Sequence, residues 1–104
     1  DEKQIKRQIA EGLNQANKVL LYITSDFLGS EWCIYELQLS EKICKEKENY
    51  ELFFIIEKEV KDAFFTEYKD IINDIEKENI LIIDDDIKLE DTIEAFIKRK
   101  KTII

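Results

Sequence analysis

The stretch KVLLYITSDFLGSEWCIYEL, residues 18–37, holds the transition on which the fold depends. Its first seven residues, 18–24, are an almost unbroken apolar run of strand length. A strand that is apolar on both faces belongs in a parallel sheet covered on both sides. Ser30 then stands where a helix begins, because a serine side chain accepts hydrogen bonds from the free amides of a first helical turn. The helix that Ser30 opens is read over residues 30–47, and a loop over 25–30 joins it to the strand.

Working outward, the same alternation recurs. Residues 4–16 set Ile5, Ile9, Leu13 and Ala16 on one side at helical spacing, ahead of the first strand. ELFFIIE, residues 51–57, is a second strand, and NILIID, residues 79–84, a third. Between them, Phe64, Phe65, Tyr68, Ile71, Ile72 and Ile75 make a single stripe over residues 62–77, which predicts one surface helix with one buried face. A last helix is read over residues 90–101, with Ile93, Phe96 and Ile97 inward. Four helices alternating with three strands is α/β layering, and the expected architecture is a flavodoxin-like, three-layer parallel sheet. That architecture has five strands in the order 2-1-3-4-5. The three strands read here correspond to its last three, and the first two are expected to lie outside this sequence.

Length and composition bound the rest. A chain of 104 residues is one domain or less, able to bury roughly 60 to 70% of its unfolded surface. Its 44% apolar content, with six Phe and four Tyr, supports a packed core despite 38% charged residues. A net charge of −8 argues against a nucleic-acid partner, whose phosphates call for an excess of Lys and Arg. No run approaches 18 apolar residues and no signal peptide opens the chain, so no membrane contact is expected of this segment. Cys33 and Cys44 lie on one helix, about 16 Å apart at 1.5 Å per residue, too far to bridge. Unbridged cysteines fit a reducing, cytoplasmic compartment. There is no His, no zinc-ligand spacing and no Gly-rich phosphate loop, which leaves carboxylates as the groups able to run chemistry. No cofactor and no metal are expected.

The carboxylate that invites a role is Glu36. At about 100° per residue, Leu39, Trp32, Ile43, Glu36, Ser40, Cys33, Cys44 and Leu37 fall within one arc of the helix, with Glu36 near its middle. The opposite arc carries Ile34, Gln38, Glu41, Lys42, Lys45 and Glu46, a solvated face with one apolar exception, and Tyr35 points toward this polar side. An inward carboxylate loses hydration, so its pKa should rise unless a cation or donors reach it. Two readings stand: an acid near a helix start that bonds a loop amide, or an acid on the ligand-binding side of the sheet, beside the carboxyl end of a strand.

SDFLGSEWCIYEL, residues 25–37, closely resembles the segment of Toll/interleukin-1 receptor (TIR) domains in which a strand leads through a loop to a helix opening Ser, x, Trp, Cys, x, x, Glu, Leu. IAEGLNQANKVLLYIT, residues 9–24, also looks like the second helix and third strand of that family. The resemblance covers most of the chain, and its diagnostic part is the segment around Trp32. It implies a single partial TIR domain over residues 1–104, acting by assembly with other TIR domains in innate-immune or defence signalling. SEWCIYEL, residues 30–37, is nearest to the receptor-like version of the motif. In family members that cleave NAD+, the Glu of the Trp-x-x-x-Glu spacing is the catalytic acid. Glu36 matches it, which would make NAD+ a substrate. Ser25 and Trp32 would then line the substrate site, although a Trp at this position is more often simply core. Tyr35, an aromatic on the polar side, is the candidate interface residue.

Two further features have bland alternatives. Asp84, Asp85 and Asp86 close the third strand and suggest either a receiver-like Mg²⁺ site or a solvated loop. KRKK, residues 98–101, reads as cations complementing a helix C-terminus, with contact to anionic lipid as the alternative.

Overall fold

The computed structural model describes residues 1–84 together with Glu90, Asp91 and Glu94. Three strands, β1 (Lys18–Ile23), β2 (Glu51–Glu57) and β3 (Ile80–Ile83), form one sheet in the order β1-β2-β3. Both pairings are parallel: Lys18 to Ile23 lie opposite Glu51 to Ile56, and Phe54 to Glu57 lie opposite Ile80 to Ile83. β2 is central, and Leu52, Phe53, Phe54, Ile55 and Ile56 are each no more than 2% exposed. Two successive side chains cannot both be hidden by one layer, because strand side chains alternate between faces. The expected strand buried on both faces is therefore present.

The larger core cluster lies on one face, where Leu21, Ile23, Leu52, Phe54 and Ile56 meet Phe27, Leu37, Phe64 and Ile71. The alternate residues Phe53, Ile55 and Ile83, with Leu20, Tyr22 and Leu81 beside them, form a second cluster on the other face. Helices flank this sheet, so the molecule is α/β and compatible with the flavodoxin-like arrangement, whose last three strands are likewise adjacent in chain order.

The first helix, α1 (Glu2–Gln15), begins two residues earlier than its apolar spacing indicates, because the Asp1 side chain accepts from the Gln4 amide at 2.9 Å. The segment after β1, expected as a loop, contains a one-turn helix, α2 (Ser25–Leu28). Thr24 Oγ1 accepts from the Phe27 amide at 3.0 Å to start it, and Phe27 is carried into the core. The next helix, α3 (Glu31–Glu46), has Ser30 as its cap as expected, with Ser30 Oγ accepting from the Cys33 amide at 3.3 Å.

The single helix expected over 62–77 is instead broken. A 3₁₀ turn (Lys58–Val60) leads into α4 (Lys61–Glu67), then α5 (Lys69–Asn73) and a second 3₁₀ turn (Lys77–Asn79). Tyr68, at φ −113° and ψ 36°, is both the end of α4 and the start of α5. Thr66 Oγ1 donates back to the Asp62 carbonyl at 2.8 Å, a bond that bends helices by competing for that acceptor. The break leaves the stripe intact, since Phe64 and Ile71 on either side of it both reach the core. Asn79, expected to begin the third strand, belongs to the second 3₁₀ turn, and its Nδ2 donates to the Leu52 carbonyl at 3.2 Å. Glu90, Asp91 and Glu94 are helical and exposed. The rest of the expected last helix, and with it residues 98–101, lies outside the described residues.

Candidate functional site

The surroundings of α3 decide what its residues can do. α1 packs alongside α3 in the same direction: Lys6 Nζ lies 5.6 Å from the Tyr35 ring centroid at one end, and the Tyr50 hydroxyl donates to the Leu13 carbonyl at 3.2 Å at the other. α1 thus covers the side of α3 that the sequence marks as solvated. The sheet takes the opposite side, where Leu37, Ser40 and Ile43 are buried and Cys33 and Cys44 pack against the core.

This shifts the arc drawn from the sequence. The buried residues Leu37, Ser40 and Ile43 spread over about 120° of the helix, and their centre is about 40° from Glu36 at 100° per residue. Glu36 falls between Ser40 and Ile43, within the stripe but off its centre, and is half-buried. Ile34, the one apolar exception on the solvated arc, packs against the core cluster, and Glu41, expected to be solvated, is half-buried. The cause is tertiary: a helix with a sheet on one side and a second helix on the other has no single wet face.

Glu36 follows the carboxyl end of β1 and is in the second turn of α3, about 8 Å along the axis from its start. Burial pushes its carboxyl pKa above the ordinary 4.5, and no other cause contributes. Among the described residues no cation or donor bonds it. Chemically it is a partly desolvated acid that no described residue neutralises, and such a carboxylate interacts more strongly with developing positive charge than one in bulk water.

Trp32 and Tyr35 line a cleft of about 320 Å³ between the first turns of α1 and α3, floored by Leu28 and Ile34 and edged by Glu2, Lys6, Glu31 and Gln38. Trp32 is half-buried here, so it is a wall of the cleft and not core. Glu36 and Ser25 do not line this cleft. Ser25 is exposed in the first position of α2. The four residues singled out by sequence are therefore divided between the cleft and its surroundings: Trp32 and Tyr35 within it, Glu36 on the far flank of α3, and Ser25 on α2. Glu2 and Lys6 were not singled out. Their four-residue spacing within one helix is legible, but their approach to α3 depends on packing between segments about 30 residues apart.

Asp84 is exposed at the carboxyl end of β3, and Asp85 and Asp86 lie outside the described residues. Among the described residues no group of three or more Cys, Asp or Glu side chains is arranged to hold a metal ion. Both cysteines are free. No helix among the described residues is long and apolar enough to cross a membrane. No protein-family model, no curated protein and no solved structure matches this chain.

Proposed function

We propose that this chain is the carboxyl-proximal part of a TIR domain, a cytoplasmic signalling module that acts by assembling with other domains of its kind in innate-immune or defence signalling. The observation that carries the reading is the junction after β1. There a parallel strand ends, Ser30 caps α3, and the Trp32, Cys33, Glu36 and Leu37 of the motif occupy its first two turns. Two features support it. The order β1-β2-β3 is the one the last three strands of a 2-1-3-4-5 sheet would have. Among the described residues β1 pairs on one side alone, and its other edge belongs to the run KVLLYI, in which Lys18 is the sole charge. Bare apolar edges are unusual in a finished sheet.

Tyr35 is the contact residue in this reading. Sedimentation of the whole protein should show concentration-dependent association, and Tyr35→Glu should weaken it at least about tenfold, as loss of an aromatic anchor does. A protein that stays monomeric throughout would remove the assembly reading.

A second reading, NAD+ hydrolysis, is favoured by Glu36, which is half-buried and which no cation or donor among the described residues bonds. Cleaving the bond between nicotinamide and ribose develops positive charge on the sugar, as in glycoside hydrolysis. An ionised Glu36 would stabilise that charge while water attacks and nicotinamide leaves. If this holds, the whole protein releases nicotinamide from NAD+, and Glu36→Ala lowers the rate by about 100-fold or more with the fold unchanged. Equal rates for the two proteins would exclude Glu36 from the chemistry.

A further inference from the structure

The cleft between α1 and α3 has a chemistry that goes beyond the use of Tyr35 as an assembly contact. Two aromatic side chains, Trp32 and Tyr35, stand on one helix three residues apart, and the carboxylates of Glu2 and Glu31 stand at the rim. Against these two negative groups the described residues of the cleft include one cation, Lys6, whose ammonium is 3.5 Å from Glu2 and 5.6 Å from the centre of the Tyr35 ring. Aromatic faces attract cations through their quadrupole, and carboxylates at the rim add to that attraction. Lys6 already makes both contacts. It is a side chain of this chain resting where an outside cation would rest.

We propose that this cleft takes an arginine side chain from a basic partner protein, and that Lys6 holds the place until the partner arrives. Several observations point to arginine. Lys6 and Glu2 are both largely exposed, with 47% and 71% of their side chains open to solvent, so their pair is weak and easily displaced. A guanidinium is planar and less hydrated than an ammonium, so it stacks on Tyr35 or Trp32 while forking onto a carboxylate, which Lys6 cannot do. The cleft's 320 Å³ admits such a group with part of its stem. The net charge of −8 draws a basic protein toward the whole surface, and the cleft then selects the side chain. The proposal rests on the cleft's own side chains; assembly through Tyr35 would compete for the same seat, so the titration is made at concentrations where the chain is monomeric.

Trp32 is the sole tryptophan and a wall of the cleft, so its emission reports on occupancy. The chain is titrated with three blocked tripeptides, Ala-Arg-Ala, Ala-Lys-Ala and Ala-Glu-Ala, at fixed low ionic strength. Expected is a saturable change with the arginine peptide, two- to fivefold weaker binding of the lysine peptide, and no response to the glutamate peptide. Tyr35→Ala and Glu31→Gln should each weaken the arginine peptide by about two- to fivefold. Lys6→Ala should tighten it, because the seat is then vacant. Tyr35→Leu serves where Tyr35→Ala melts early, since it keeps the apolar contact without the ring. No saturation with arginine, equal binding of lysine, or unchanged or weaker binding in Lys6→Ala would each overturn the proposal.

Discussion

Glu36 has a burden that its neighbours do not relieve, and pH should reveal it. Because burial raises its pKa above 4.5, the folded chain binds this proton more tightly than the unfolded chain does. Between the ordinary value and the raised one, unfolding releases the proton. The contribution to stability is therefore favourable at low pH and is lost as pH rises through the raised value. Glu36→Gln should be slightly more stable than the parent at neutral pH, by no more than about 0.5 kcal/mol given the solvent screening of a half-exposed group. The difference should vanish below the ordinary carboxylate pKa in paired denaturant melts. Asn49 makes a backbone counterpart. At φ 64° it is the one left-handed non-glycine residue among those described, in the turn between α3 and β2. Asn49→Gly should be neutral or nearly so, whereas Asn49→Val should cost about 1 to 2 kcal/mol in the same melts. Glu36 as an unusual acid was legible in the sequence because charge and period are local. Its place off the centre of the stripe was not, since that is set by α1 lying alongside α3.

The helices divide into ends that local chemistry decides and a course that the core decides. Ser30 is an end of the first kind: Ser30→Ala should cost about 1 kcal/mol, and Ser30→Gly only a few tenths, because glycine is tolerated at that position. Thermal unfolding of the two variants separates them. Thr24 performs the same task for α2, yet a turn of four residues carries too short an apolar pattern to read ahead of time. The break at Tyr68 belongs to the second kind. Apolar spacing runs straight through it, so periodicity could not mark it, while Phe64 shows what the bend serves. That ring is fully buried, with the Phe54 and Tyr68 rings centred 5.8 and 5.4 Å away. Phe64→Ala should remove about 3 to 5 kcal/mol, enough to unfold much of a marginal chain at room temperature. A shift of the urea midpoint measures it.

For the molecule as a whole, the sheet sets the order in which parts open. β2 has a neighbour on each side and is covered on both faces, so its amides from Leu52 to Ile56 should exchange with solvent most slowly, at rates near those of global unfolding. α1 has no buried residue, and Ile5 remains 40% exposed, so its amides should exchange first among the long helices. Deuterium uptake followed by peptide mass spectrometry tests both, and a β2 no slower than α1 would contradict this packing. The parallel arrangement was legible because uninterrupted apolar runs separated by helices have few other solutions. The pairing partners of α1 were not, since nothing in its own pattern distinguishes a sheet below it from a helix beside it.

The same sheet has a hazard at one border. KVLLYI is six residues with no proline and no glycine, rich in the side chains that interlock in dry, stacked filaments. Where this border is left without a partner strand, copies laid against it would seed cross-β fibres with β1 in their protease-resistant spine; in the TIR reading a further strand takes the border and removes the hazard.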